Sequence, residues 1–161
     1  SLIFGVQIGN DQKLSEDRIR GFKNFSNKVW NITRFVLENT SKLDPNATLV
    51  EADLALILEA NRIAETVTEH IETFRLDIAA DTVYHYVWDR FAAEILEESK
   101  PIFKGADEAA KKSRERALYE ILTISLKLLH PMMPFVTETI WQHLPHKSTD
   151  QLMVAKWPTV Q

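Results

Sequence analysis

Residues 14–39 read LSEDRIRGFKNFSNKVWNITRFVLEN, and the spacing of their apolar positions decides the fold. Wound at 100° per residue from Ile19, the side chains of Phe22, Phe25, Val29, Ile32, Val36 and Leu37 gather between about 220° and 360°. That is the signature of a helix that buries one face. Ser15 stands where an N-cap belongs, and Glu16 and Asp17 put anions in the first turn, where the helix dipole favours them. The helix runs to about Asn39 and stops before the turn-forming cluster TSKLDPNA.

The opposite side of the same helix is polar. Lys23, Arg34, Asn27, Arg20, Asn31, Asn24 and Lys28 lie between about 40° and 180°, with Phe35 among them at about 160°. Cations meet phosphates, amides meet base edges and an exposed aromatic ring stacks a base, so this face fits single-stranded RNA. A solvated basic face would show the same pattern. So would asparagines turned onto a neighbouring helix, which would make Asn27, Trp30 and Asn31 structural. Residues 13–42 carry seven Lys or Arg against three Asp or Glu, in a chain whose formal net charge is -4. The positive charge is therefore concentrated on this helix.

Outward from there, helical periods continue. A second helix is expected from about Thr48 or Leu49 to Thr73, with Leu54, Leu58, Ala64, Val67 and Ile71 on its apolar side. A third is expected over about 77–99 on the stripe Ala80, Val83, Val87, Phe91 and Ile95, ending in the turn SKPIFKGADE. A fourth, from about Asp107 to Leu129, buries Leu118, Leu122, Ser125 and Leu129. Pro131 stops it, because a proline ring clashes with the preceding turn and brings no N–H. Pro134 suits the first turn of a fifth helix with Val136, Ile140, Trp141 and Leu144 inward, and Pro145 closes it. In the tail, DQLMVAKWPTVQ, Trp157 is the expected anchor. The fold class is all-α: an antiparallel bundle of about five helices with a short irregular C-terminal tail.

Several chemistries find no support. The chain has no cysteine, hence no disulfide, thiolate ligand or cysteine nucleophile. None of its histidines follows a glutamate at three residues, as a di-metal bundle requires. His143 and His146 are spaced for a shared metal, but Pro145 puts His146 into a loop, so no metal site is assigned. KKSRE at 111–115 reads as a solvated helix face. There is no glycine-rich phosphate loop, no G-x-S-x-G and no H-E-x-x-H, so no catalytic residues are assigned. No apolar run is long enough for a membrane span, and no signal peptide opens the chain. A cytoplasmic setting fits the cysteine-free composition. The opening segment SLIFGVQIGN reads as part of a longer polypeptide.

Three stretches carry a resemblance. Residues 13–37, KLSEDRIRGFKNFSNKVWNITRFVL, resemble the start of the anticodon-binding domain of valyl-tRNA synthetases, with Lys23-Asn24-Phe25-Ser26-Asn27-Lys28-Val29-Trp30-Asn31 matching its R-N-F-x-N-K-x-W-N segment. Lys23 stands where that family commonly has arginine, which turns a bidentate contact into a point charge. LHPMMPFVTETIW at 129–141 is similar to the L-H-P-x-M-P-F-x-T-E-x-I-W motif of the valyl, leucyl and isoleucyl enzymes, and its Phe135, Val136, Ile140 and Trp141 have core spacing. LMVAKWP resembles the segment that follows it in valyl enzymes.

The resemblance spans about Gly9 to Pro158. It implies residues 1–14 as a linker from a catalytic region, 15–145 as the helical anticodon-binding bundle and 146–161 as a tail packed on it. It implies tRNA as partner, through the anticodon stem-loop of valine tRNA, together with the remainder of the synthetase chain and no membrane. The tRNA-binding residues would be Arg20, Lys23, Asn24, Asn27, Lys28, Asn31, Arg34 and Phe35. The H-I-G-H and K-M-S-K-S motifs are missing, so the domain itself needs no cofactor. ATP and magnesium belong to the parent enzyme, a valine–tRNA ligase by this resemblance. The alternative is a helical protein-interaction module whose basic face meets an acidic partner.

Overall fold

The computed structural model describes residues 16–158. The proposed linker and the Ser15 cap lie outside them, and so does the side chain of Asp17.

Helix α1 spans Glu16–Asn39, α2 Glu51–Glu72, α3 Leu76–His85, α4 Leu96–Lys104, α5 Glu108–Leu129 and α6 Pro134–Gln142. A π-helical segment, Tyr86–Ile95, joins α3 to α4 without a break, so the three form one rod. Counting that rod once gives five helical bodies and, among the described residues, no strand. A single 3-10 turn, Leu152–Val154, punctuates the tail.

Side-chain contacts fix the directions. Asp53 at the start of α2 bonds Arg114 at the start of α5, so these two run parallel. Glu59 of α2 holds Arg90 of the rod in a two-pronged pair at 2.8 and 3.0 Å, and Ser99 of α4 meets Arg114. The rod therefore runs against α2 and α5. The Phe25 ring lies 4.7 Å from that of Tyr84 and the Phe35 ring 6.3 Å from that of Phe103, so α1 runs with the rod. Consecutive long helices alternate in direction, as in an up-down bundle.

The rod explains itself through its period. Val83, Val87, Phe91, Ile95 and Ser99 are all buried at strict intervals of four residues. In an α-helix each such step drifts by about 40°, so a four-residue stripe would wind off the core. The wider i→i+5 turns of the π segment keep it facing inward. The rod also outruns the expected end near Ser99 and continues to Lys104 with Pro101 inside it. Pro101 is exposed, so solvent can meet the carbonyl its ring leaves without a donor, while Phe103 beyond it packs against the core.

Three expectations are corrected. On α2, Leu54 and Leu58 are 44% and 45% exposed, and the buried face carries Asp53, Leu56, Ile57, Ala60, Ala64 and Val67. Ala60 and Ala64 let α5 and the rod approach closely, which favours this face over the bulkier leucine stripe. KKSRE is not a solvated face throughout, because Ser113 and Arg114 are buried. Arg114 donates from Nε to Asp53 Oδ1 at 2.6 Å and from Nη1 to Ser99 Oγ at 3.1 Å, and Ser113 Oγ donates to Asp53 Oδ2. Phe135, aligned with a core-like motif, is 88% exposed.

The rest of that motif builds the bundle's end. Trp141 is fully buried, and its indole N–H donates to Thr149 O at 2.9 Å. Glu138 accepts from the backbone N–H of Leu152 and Met153, pinning the 3-10 turn. Thr137 Oγ1 donates to Met133 O and pairs with His130 Nδ1 at 2.9 Å. Trp157 donates to Thr68 Oγ1 at 2.8 Å. The prolines turn a corner, and Glu138 and Trp141 hold the strap that crosses it.

Candidate nucleic-acid interface

Burial of Phe25, Val29, Ile32, Thr33 and Val36 fixes the roll of α1 and aims its opposite side at solvent. Arg20, Lys23, Asn24, Asn27, Asn31 and Arg34 are all exposed there. Asn24, Asn27 and Asn31 make no hydrogen bond to a neighbouring helix among the described residues, so no such bond makes Asn27 or Asn31 structural. Arg34 approaches Glu38 at 4.0 Å with both side chains well solvated, a pairing of about 0–1 kcal/mol that leaves the guanidinium available.

Lys28 and Phe35 sit differently. Both are half-buried where α1 meets the rod. Lys28 holds its Nζ 5.4 Å from the centre of the Trp88 ring. Trp88 is itself stacked on Tyr84 at 5.8 Å and on the buried Phe25 at 6.1 Å. Phe35 leans on Phe103, with ring centroids 6.3 Å apart, and packs against the core.

Between the two bodies runs a groove of about 190 Å³. Lys28, Asn31, Ile32 and Phe35 line it from α1, and Ala92, Leu96, Glu97 and Lys100 from the rod. Its floor is apolar and its rim carries two cations, one amide and one carboxylate. Lys100 Nζ lies 2.6 Å from Glu97 Oε1, which leaves Oε2 of the carboxylate as a further acceptor. A planar, polar-edged group fits such chemistry better than an aliphatic one.

Nearer the start of the rod the surface turns acidic. His85 is bracketed by Asp89 at 2.8 Å and Asp81 at 3.6 Å. The Asp89 hydrogen bond raises its pKa against the opposing effect of burial, and Asp81 adds to the rise. The positive lane thus stays on α1 and enters the groove at Lys28.

The stripe on α1 was legible from its period. The rod's contribution was missed, because Ala92, Leu96, Glu97 and Lys100 lie some sixty residues downstream of Phe35 and meet it only through folding. The one local signal was the Glu97 and Lys100 pair at i, i+3 on an outward face. Among the described residues no group of three or more His, Cys, Asp or Glu side chains converges as a metal site would. No helix among them is long and apolar enough to cross a membrane.

Known proteins place this geometry. A family model described as the anticodon-binding domain of tRNA ligase matches residues 53–161, from the start of α2 onward. Valine–tRNA ligases are similar over nearly the whole chain, α1 included. That of Clostridium acetobutylicum is 39% identical over 165 residues, covering 99% of this chain and 19% of the relative. That of Bacillus anthracis is 38% identical over 162 residues, covering 98% and 18%. That of Geobacillus kaustophilus is 37% identical over 165 residues, covering 99% and 19%. The chain therefore spans less than a fifth of the length of these relatives. With more than half of its length matched by the family model on an all-helical bundle, the chain belongs to the anticodon-binding domain family of tRNA ligases.

Proposed function

We propose that this chain binds the anticodon arm of valine tRNA, as the anticodon-reading part of a valine–tRNA ligase. The observation that carries this reading is the groove between α1 and the rod, opening beside the exposed cations of α1. Arg20, Lys23, Arg34 and Lys28 hold backbone phosphates, a term blind to sequence. Splayed bases of the loop enter the groove, where Phe35, Leu96 and Ala92 offer an apolar bed.

The polar rim suits the two bases that valine anticodons share, adenine in the middle and cytosine third. An amide such as Asn31 matches an adenine's N6 and N7 edge, and a carboxylate such as Glu97 accepts from a cytosine's N4 amine. Asn24 and Asn27, on the open part of the stripe, are available to neighbouring bases. ATP, magnesium and the joining of valine belong to the rest of the ligase in this reading, and the domain itself contributes no chemical step. A cytoplasmic setting follows from that role.

The test is a comparison of Asn31→Ala and Glu97→Gln with the unaltered chain, against a valine anticodon hairpin and a hairpin with the middle and third bases changed. Each variant is expected to lose about 1–3 kcal/mol on the valine hairpin and little on the other, which is what one well-placed base contact is worth. Equal losses on both hairpins would remove base reading from this groove.

A further inference from the structure

On the side of the bundle away from the anticodon groove, α2 and α5 border a second cavity of about 330 Å³. The packing order sets the two apart: α1 lies on the rod, the rod on α2, α2 on α5 and α5 on α1. The volume is that of a site for a small molecule. Leu43 and Pro45 of the α1–α2 connection, with Ile57 and Ile124, give it an apolar lining. His146 reaches it from the tail and is exposed.

The polar groups set into that lining are mostly donors. Lys127 is half-buried and has no hydrogen bond or ion pair among the described residues. Burial alone lowers its pKa, so no neighbour compensates its ammonium. A lysine normally carries its charge out to water. One kept beside apolar side chains without a partner marks a place for an anion.

Arg116 is bonded only in part. Its Nε donates to Glu120 Oε1 at 2.8 Å and its Nη1 to Ala47 O at 2.8 Å, which fixes the guanidinium and leaves Nη2 without a bond among the described residues. Glu120 balances Arg116, so Lys127 is the uncompensated charge of the cavity. Tyr119 Oη accepts from the backbone N–H of His146 at 3.0 Å and has its own proton left to donate.

We propose that this cavity binds a small monocarboxylate with a compact apolar body. The carboxylate sits on the Lys127 ammonium with the Tyr119 hydroxyl and Arg116 Nη2 as further donors, and the body lies on Leu43, Ile57 and Ile124. One uncompensated positive charge selects a monoanion, whereas a dianionic phosphate would meet the Glu120 carboxylate without a second free cation to balance it. The site lies outside the anticodon groove and is independent of the tRNA reading.

The experiment titrates the chain with 3-phenylpropionate and follows its backbone amide signals and that of the Lys127 ammonium by NMR. Neutral 3-phenylpropionamide and inorganic phosphate are the comparison ligands. Saturable shifts at the residues of this cavity are expected with a Kd of about 1 mM or below, the range open to a ligand of this size. The amide should bind about tenfold more weakly, the effect of one hydrogen bond to a charged group. Lys127→Met should bring the carboxylate down to the amide's affinity while still binding the amide, which reports an intact cavity. Asn61→Trp, which fills the cavity from α2, should remove both ligands.

Absence of saturable shifts at these residues would overturn the site. Equal affinity for carboxylate and amide, or an unchanged Lys127→Met, would overturn the role of the charge, and phosphate binding as tightly as the carboxylate would overturn the ligand class. A valine anticodon hairpin added at saturation should leave the carboxylate in place. Its displacement would make the cavity an RNA contact instead. The titrations without RNA do not turn on anticodon reading, so either conclusion can fail while the other stands.

Discussion

Lys28 of α1 lies 5.4 Å from the centre of the Trp88 ring on the π-helical segment, so a residue of the positive lane is anchored to the opposite wall of the groove. Trp88 is fixed in turn by Tyr84 and Phe25, which ties the placement of a surface cation to the core. The ammonium is held at the rim, where a phosphate would pass, instead of sweeping freely as lysines do.

Lys28→Ala should accordingly weaken binding of any anticodon hairpin about equally and lower the slope of log affinity against log salt by about 1. The folded chain should lose about 0.5–1 kcal/mol from the missing ring contact. Titrations at several salt concentrations with two hairpins of different anticodon read both effects. Selective loss on the valine hairpin would make Lys28 a base reader, contrary to the role assigned here.

The buried pair Asp53 and Arg114 joins the starts of α2 and α5 and reaches α4 through Ser99. Asp53→Ala strands a guanidinium in the core and should cost about 3–5 kcal/mol in urea unfolding. The double variant Asp53→Leu with Arg114→Met should recover much of that loss, because it removes both charges together. A single variant no less stable than the double would show that the pair is not buried as described.

Glu138 governs the strap. Burial works against its charge, yet the Gln142 amide and the N–H groups of Leu152 and Met153 hold its pKa below the ordinary 4.5. A depressed carboxyl pKa stabilises the fold above the unfolded value and loses that contribution as pH falls through the folded value. Glu138→Gln should thus melt earlier than the unaltered chain at neutral pH, with the gap closing below about pH 4.5. A gap independent of pH would assign the effect to lost packing.

Neighbours in one motif should behave in opposite ways. Trp141 is fully buried and Phe135 is 88% exposed. Trp141→Ala should cost about 3–5 kcal/mol, whereas Phe135→Ser should stay within about 0.5 kcal/mol in this chain alone. Comparable losses by chemical denaturation would place Phe135 in the core after all.

The way these residues divide shows what a sequence can disclose. The outward stripe of α1 was readable because Phe25, Val29, Ile32 and Val36 recur at three or four residues and leave little freedom in the helix's roll. On α2 the run LALIL offers two apolar faces, and only the partners decide between them: the Arg114 side chain and the closeness allowed by Ala60 and Ala64 turned Asp53 inward and Leu54 out. The groove's second wall was invisible because Glu97 and Lys100 gain meaning only beside Asn31 and Phe35. Phe135 was misread because a motif shared with relatives was taken as packing throughout, although one of its positions faces outward.

The central claim is that the groove between α1 and the rod prefers valine anticodon bases, and one titration addresses it most directly. The chain is titrated at about 50 mM salt, where phosphate contacts still act, with a valine anticodon stem-loop and with the same hairpin carrying altered middle and third bases. The account predicts tighter binding of the valine hairpin by about 1–3 kcal/mol per base read. Equal affinity for the two hairpins would contradict it and reduce α1 to a charged surface.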